Sequence, residues 1–160
     1  ADKIAINTAA VKNPKIISEL STIFGSQSIV LSIQAKQIEQ NKWEVYTDNG
    51  RERTGKDVIE WAVEGAEMGA GELLITSVDR EGTSKGFDIA LIKKITEKIS
   101  KPVIACGGMG KNSDFIEAII EGKADAVSCA HVLHYNKTNI ADIRTQAKKF
   151  NLKVREYEIS

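Results

Sequence analysis

The alternation of short apolar runs with longer helical runs is the feature of this sequence that most constrains its fold. Short apolar runs predict strands at residues 3–7, 29–38, 43–47, 72–78, 102–106 and 126–133. Apolar residues at 3–4 spacing predict helices over 14–24, 57–68, 87–99 and 139–150. A further helix is predicted to begin after a cap at Ser113. Apart from the small strand at 43–47, this order gives five β-then-α units, which predicts parallel strands joined by helical crossovers.

Local signals support several of these boundaries. Asn13-Pro14 suits a helix start, because the Asn side chain can accept from free N–H groups and Pro fits the first turn. Gly25 predicts the end of that helix, and Asp48-Asn49-Gly50 predicts a turn. The central strands are continuously apolar, which is typical of strands covered on both faces; these runs are 29–31, 73–75 and 103–105.

Composition excludes several classes of protein. With 22 basic and 22 acidic side chains, the sequence lacks the basic excess of proteins that bind nucleic acid or anionic membranes. No apolar run approaches the roughly 20 residues of a membrane span, and no secretory leader is visible, so we expect a cytoplasmic protein. Cys106 and Cys129 do not form a disulfide scaffold and are expected as small buried apolar residues. The 160 residues predict a single domain, 1–160.

The residues that follow each strand are the candidates for ligand binding, because ligands of parallel α/β folds lie at the carboxyl ends of the strands. Four of the five strand ends carry small residues, hydroxyl groups or glycines, whose backbone N–H groups an anion can approach. With zero net charge, a phosphate would be held mainly by these amides. The segments are Asn7-Thr8, Gln34-Ala35-Lys36, 76–83, 107–110 and Ala130-His131.

Each of these features also has a plainer interpretation. A glycine after a strand often serves only the geometry of the turn. Asp79 and Glu81 are either proton-transfer groups or part of a solvated turn. His131 and His134 are too few and too poorly spaced to form a metal site without other ligands, so no metal is expected.

An internal similarity bears on the architecture. Residues 1–10 and 124–133 share an Ala-Asp start, an apolar run and a small or polar end. The first and fifth strands therefore look like repeats four units apart, as expected for an eightfold barrel made of two similar halves. A doubly wound open sheet is the competing architecture.

Three segments closely resemble the cyclase subunit of imidazole glycerol phosphate synthase, an enzyme of histidine biosynthesis: 2–10, 69–83 and 105–111. The run Ser77-Val78-Asp79-Arg80-Glu81-Gly82-Thr83 is specific to that family and its close paralogues. The resemblance extends from residue 1 to about 155 and implies an α/β fold of the (β/α)₈ TIM-barrel family. Against that family the chain starts at the fourth strand, so we expect an incomplete barrel of five β/α units that is inactive alone.

The resemblance implies a lyase that takes ammonia from a glutaminase subunit. With it, the family converts a bisphosphorylated ribulosyl formimino substrate (PRFAR) into imidazole glycerol phosphate and an aminoimidazole carboxamide ribotide (AICAR). The implied partners are this glutaminase and a bisphosphorylated small molecule, with no cofactor, nucleic acid or membrane. Matching positions imply these sites: Asn7 and Thr8 for one phosphate; Gly82, Gly107, Gly108, Ala130 and His131 for the other; Thr76 and Glu81 near the reacting groups; and Asp2, Lys3 and Glu72 at the ammonia entrance and glutaminase interface.

Two positions depart from the family pattern. Gln34 occupies the position of a catalytic Asp that acts as general acid; an amide cannot transfer a proton as a carboxyl does, although it can orient a substrate. His131 replaces the usual Ser, and either adds charge to the phosphate site or crowds it. Three hypotheses stay open: the cyclase itself, a paralogue that delivers ammonia to another acceptor such as a surface sugar, and a non-catalytic phosphate-binding scaffold that activates a glutaminase.

The expected incomplete barrel predicts self-association. It would have two open strand edges and an exposed interior face, and open strand edges pair readily with other strands. Sedimentation of the chain at high concentration should therefore detect species larger than the monomer. A clean monomer under those conditions would contradict this prediction.

Overall fold

The computed structural model describes residues 1–154, and the last six residues of the predicted domain lie outside that range. The strands are β1 (Ile4–Ile6), β2 (Ile29–Glu39), β3 (Lys42–Thr47), β4 (Glu52–Asp57), β5 (Glu72–Ser77), β6 (Val103–Cys106) and β7 (Ala126–Ser128). The helices are α1 (Thr8–Lys12), α2 (Lys15–Phe24), α3 (Val58–Glu67), α4 (Ile89–Thr96), α5 (Asn112–Ile120), α6 (His131–His134) and α7 (Ile140–Lys149). A single 3₁₀ turn, Ser26–Ser28, precedes β2.

The seven strands form one sheet. β1, β2, β5, β6 and β7 are parallel neighbours in that order, which confirms the five predicted parallel strands. β3 and β4 extend the sheet as an antiparallel hairpin. β2 pairs with β5 along one edge, so β1 and β3 share its other edge: β1 pairs with residues 29–31 and β3 with residues 34–39.

Burial distinguishes the two faces of the parallel sheet. Along β5, Leu73 and Ile75 are buried whereas Leu74 and Thr76 are half-buried. Helix α3 lies against the buried face. Its Gly65 packs so closely on Leu31 of β2 that an added Cβ would come within 2.1 Å of a Leu31 methyl group. We call the other face the open face. Register places the following residues on it: Ala5, Val30, Ser32, Gln34, Glu72, Leu74, Thr76, Ile104, Cys106, Ala126 and Ser128.

One-sided helical cover corrects an expectation from the sequence. The buried strand residues and the helices form one hydrophobic core, to which the apolar open-face residues Val30, Leu74 and Ile104 do not belong. In the described part of the chain the strands are therefore not covered by helices on both faces. Helices on one face only are typical of a barrel wall, whereas a doubly wound sheet carries them on both.

Carboxylates at the amino-terminal ends of the helices cap those helices, and one of them also connects a helix to the sheet. The Asp57 carboxylate caps α3 by accepting two backbone N–H bonds, at 2.8 and 3.1 Å. Asp88 caps α4 by accepting from the Leu91 N–H at 3.1 Å. It also accepts from the indole N–H of Trp43 at 2.8 Å, which fixes the β3–β4 hairpin to that helix. Trp43 and Trp61 are packing residues, each 1% exposed.

Two predicted elements differ from the observed ones. The strand predicted over 126–133 ends at Ser128, and its second half is α6, which buries Val132. A short apolar run does not by itself distinguish a strand from a buried helical turn. Ser113 is not the cap of α5, which begins at Asn112; instead the Asp114 carboxylate accepts from the backbone of the preceding loop.

Helix α1 and strand β4 were not predicted. α1 follows β1 directly and has only five residues. β4 has the charged sequence ERTGKD, which no hydrophobic pattern identifies. It is held by the buried Glu44 of β3, which accepts from the Arg53 guanidinium at 2.7 Å and from the Gly55 N–H at 2.8 Å. These contacts, Arg53 first, hold the pKa of the Glu44 carboxyl below its ordinary value.

The Glu44 pair predicts a pH-dependent stability. A carboxyl whose pKa is lower in the folded state stabilises the fold above its unfolded pKa, and the contribution is lost as pH falls through the folded value. Glu44→Gln should therefore lower the free energy of unfolding in urea near pH 7, and the difference from the parent should shrink as the pH falls below the ordinary pKa of a glutamate carboxyl. The exposed Glu39→Gln is the matched control. A difference that stays constant over this range would contradict the assignment.

Candidate functional site

Residues from four neighbouring strands form a row near the carboxyl ends of those strands. Gln34 is in register with Thr76, Thr76 with Cys106, and Cys106 with Ser128. In-register residues of a parallel sheet point to the same face, so the whole row lies on the open face. Gln34 and Thr76, both predicted near the reacting groups, are therefore direct neighbours.

The Gln34 side chain is hydrogen-bonded to the turn between β3 and β4. Its Oε1 accepts from the Gly50 N–H at 2.7 Å, and the residue is half-buried. Gly50 has a φ of 76° and lies in the turn predicted from Asp48-Asn49-Gly50. The Asp48 N–H donates to Thr8 Oγ1 at 3.3 Å. Gln34 and Thr8 thus hold this turn beside the end of β1.

The predicted first phosphate site lies at the same place. Asn7 Nδ2 donates to the carbonyl oxygens of Ser32 and Tyr46, at 2.9 and 3.3 Å. Thr8 Oγ1 donates to Asn7 Oδ1 at 3.2 Å. Asn7 therefore links the end of β1 to β2 and β3, and Thr8 links it to the β3–β4 turn, contacts that the sequence did not predict.

The predicted second phosphate site is gathered around one small cavity, of about 50 Å³. This space is sufficient for a few water molecules. Six of the site residues implied by the resemblance line it: Glu81, Gly82, Gly107, Gly108, Ala130 and His131. Asn7 and Thr8 are not among its lining residues. The remaining lining residues are Cys106, Met109, Ser128 and Cys129.

Two of these glycines are required by close packing between the loops that follow β5 and β6. A Cβ on Gly107 would lie 2.7 Å from the Ser77 carbonyl oxygen, and one on Gly108 would lie 2.2 Å from the Gly86 carbonyl oxygen. Their φ angles of 91° and 108° also disfavour any side chain. The Gly86 N–H donates to the Gly108 carbonyl at 2.8 Å, so the two loops form one backbone unit.

Asp114 is a site residue that the sequence analysis missed. Its carboxylate is 4% exposed and accepts from the N–H groups of Gly110 and Lys111, at 2.8 and 3.1 Å. It therefore fixes the end of the glycine loop that lines the cavity. An Asp in the first turn of a predicted helix was the available signal.

Lys3 and Glu72 lie at the opposite end of the sheet. Their ammonium and carboxylate groups form an ion pair between the chain just before β1 and the start of β5. Asp2, the third residue predicted at this end, is exposed. Glu72, Leu74 and Thr76 alternate along one strand, so the ion pair and the Gln34–Thr76 row are separated by about 13 Å.

The two cysteines are free and half-buried. Burial raises the pKa of the Cys129 thiol above its ordinary value, and the neighbouring Cys106 adds to the effect. A thiol in this state is protonated at neutral pH, which argues against a nucleophilic role. Within residues 1–154, no group of three or more His, Cys, Asp or Glu side chains is placed to hold a metal ion.

A larger cavity, of about 560 Å³, lies between the starts of α4 and α5. Its lining includes Arg80, Lys85, Asp114 and Glu117, but none of the residues of the Gln34–Thr76 row. No helix in the described range is both long and apolar enough to cross a membrane.

A sequence model of a family described as histidine biosynthesis protein matches residues 1–139. The chain belongs to this family. It is a TIM-barrel family, which confirms the fold class predicted from the sequence.

Two relatives within the family are informative. The imidazole glycerol phosphate synthase subunit HisF of Legionella pneumophila is 59% identical over 115 residues, covering 72% of this chain and 54% of that protein. The subunit of the same name from Alkaliphilus metalliredigens (strain QYMF) is 42% identical over 155 residues, covering 97% of this chain and 62% of that protein. The chain thus spans less than two thirds of the length of either relative.

Asp114 gives a prediction for the loop. Asp114→Ala leaves two loop N–H groups without their acceptor, and should lower the free energy of unfolding by about 1–3 kcal/mol. Asp114→Asn keeps one acceptor oxygen and should lower the free energy of unfolding by a smaller amount. The exposed Glu117→Ala on the same helix is the control, with an expected change of about 0.5 kcal/mol or less. Equal effects of all three variants in urea unfolding would contradict the loop-fixing role.

Proposed function

We propose that this chain supplies part of a cyclase site of the imidazole glycerol phosphate synthase type. The site would bind a bisphosphorylated substrate across the carboxyl ends of the parallel strands and react it with ammonia. The observation that carries the proposal is the clustering of six predicted residues around one small cavity beside the Gln34–Thr76 row.

The two ends of the proposed substrate would lie at different strand ends. The amides around Gly82, Gly107 and Gly108 can surround one phosphoryl group without side-chain obstruction. The second phosphoryl group would bind near Asn7 and Thr8. Because those two side chains already have hydrogen-bond partners, backbone groups would contribute most of that contact.

The proposed chemistry lies between these ends. Glu81 is exposed at the cavity, with one carboxylate oxygen 3.1 Å from where a Cβ of Gly107 would lie, and it would transfer protons. Thr76 would position the reacting groups by hydrogen bonds. Gln34 is neutral and its oxygen is bonded to Gly50, so it would orient the substrate rather than act as an acid.

The proposed ammonia entrance is at the amino-terminal end of the sheet. The Lys3–Glu72 ion pair would form part of a gate, and Asp2 would contact a glutaminase partner. From this gate, a path to Thr76 follows Leu74, Ser32 and Ile104 on the open face, which suits a small neutral molecule such as ammonia. The free cysteines favour a cytoplasmic location.

Gln34 favours a second candidate function. Without an acid at this position, the same ammonia path would serve a different acceptor, for example a surface sugar that is amidated. Self-association through the open strand edges is proposed for the chain alone.

One activity assay distinguishes the two candidate functions. The chain, completed with the segments of the Alkaliphilus metalliredigens relative that lie outside the matched region, is assayed for turnover of PRFAR with ammonia. The Gln34→Asp variant should form imidazole glycerol phosphate at least about 10²-fold faster than the parent, which is the typical contribution of a general acid. Equal and fast turnover by both would show that the acid at this position is dispensable. PRFAR binding without product in both would favour the non-catalytic phosphate-binding scaffold. Failure of both proteins to bind PRFAR would favour the second candidate.

A further inference from the structure

Lys137 is a cation beside the second phosphate site that the proposed function does not yet use. Its Nζ lies 3.2 Å from His131 Nε2 and 2.9 Å from Ser84 Oγ. His131 lines the cavity, and Ser84 belongs to the loop that follows β5. The ammonium group therefore bridges two of the segments that surround the site.

The backbone holds Lys137 in place by the turn that ends α6. The Asn136 φ of 51° is left-handed, the Asn136 N–H donates to the Leu133 carbonyl at 3.1 Å, and the Lys137 N–H donates to the Val132 carbonyl at 2.8 Å. This pair of bonds is a Schellman motif, which reverses the chain after a helix. It directs the chain back so that the Lys137 side chain reaches the start of α6.

His131 is oriented by the same cluster. Its ring lies 4.6 Å from the ring of Tyr135, the residue that follows α6. Because an ammonium group only donates, His131 Nε2 is the acceptor in this contact, and Nδ1 carries the proton of the neutral ring. The imidazole therefore connects the cation to the cavity.

Charge balance shows why a cation matters at this position. Among the described lining residues, Glu81 brings a negative charge to the cavity, and His131 is neutral in this arrangement. Without a cation, amide N–H groups alone would have to offset the repulsion between that carboxylate and a phosphate dianion. Arg80, in the same loop as Glu81, lines the larger cavity instead and donates to the Lys85 carbonyl at 3.2 Å.

We propose that Lys137, acting with His131, supplies the positive charge with which the second phosphate site takes a phosphomonoester dianion. This inference rests on the proposed function and adds a specificity-determining residue to its phosphate site. It also gives His131 a role: the neutral ring accepts from the Lys137 ammonium and holds that charge beside the cavity, rather than crowding the phosphate.

The test is calorimetric binding of inorganic phosphate and of glycerol phosphate to the whole chain. Lys137→Gln should weaken both affinities about fivefold to tenfold, the loss expected for one partly exposed charge-assisted hydrogen bond. Lys137→Arg should stay within about twofold of the parent, because the charge is kept. The matched control is Lys98→Gln, which removes an equal charge from an exposed residue just after α4.

The outcomes separate this inference from the proposed function. Equal affinities for Lys137→Gln and Lys98→Gln would overturn the role of Lys137 and leave the phosphate site standing. Absence of phosphate binding by the parent chain would overturn both. Weakened binding by Lys137→Gln with an unchanged free energy of unfolding would support the inference, because a merely structural contact would change stability first.

Discussion

The parallel register of β2, β5, β6 and β7 is the constraint on which the site depends. It places Gln34, Thr76, Cys106 and Ser128 in one row and brings the loops after these strands to one edge of the sheet. A shift of one residue in any pair would turn the row towards the helices and bury it. The helical core holds the register by burying the alternate residues, such as Leu31, Leu73 and Val103.

Loop packing converts that register into a binding site. The loops after β5 and β6 approach so closely that Gly107 and Gly108 admit no side chain, and Asp114 fixes the end of the second loop from inside α5. These contacts position backbone N–H groups without a basic cluster among the residues that line the cavity. Binding energy at this site would come from preorganised amides, with one cation at its margin.

The sequence predicted the parallel strands well because their signals are local. Continuous apolar runs and short glycine turns identify β2, β5 and β6 wherever they lie in space. The hairpin strand β4 escaped prediction because its stability comes from Glu44 and Arg53, whose pairing is a tertiary contact between two charged side chains. Helix α6 escaped because its two apolar residues, Val132 and Leu133, extend the apolar pattern of β7, and such a short stretch fits either element.

The site residues, too, were predictable only where their signals are local in the sequence. The glycines and His131 follow strands directly, so their meeting at one cavity could be expected from topology. The Gln34 bond to Gly50 and the Asp114 bonds to the glycine loop depend on where side chains reach across turns, which no spacing rule encodes. Lys137 lies six residues after His131, and only the Schellman turn brings the two together.

A crystal of the chain soaked in tungstate, a heavy phosphate mimic, gives the most direct test of the central claim that loops from separate strands form one anion site. The account predicts an anomalous peak in the cavity between Gly82, Gly107 and Ala130. Tungstate bound only at other surfaces, with that cavity empty, would contradict it.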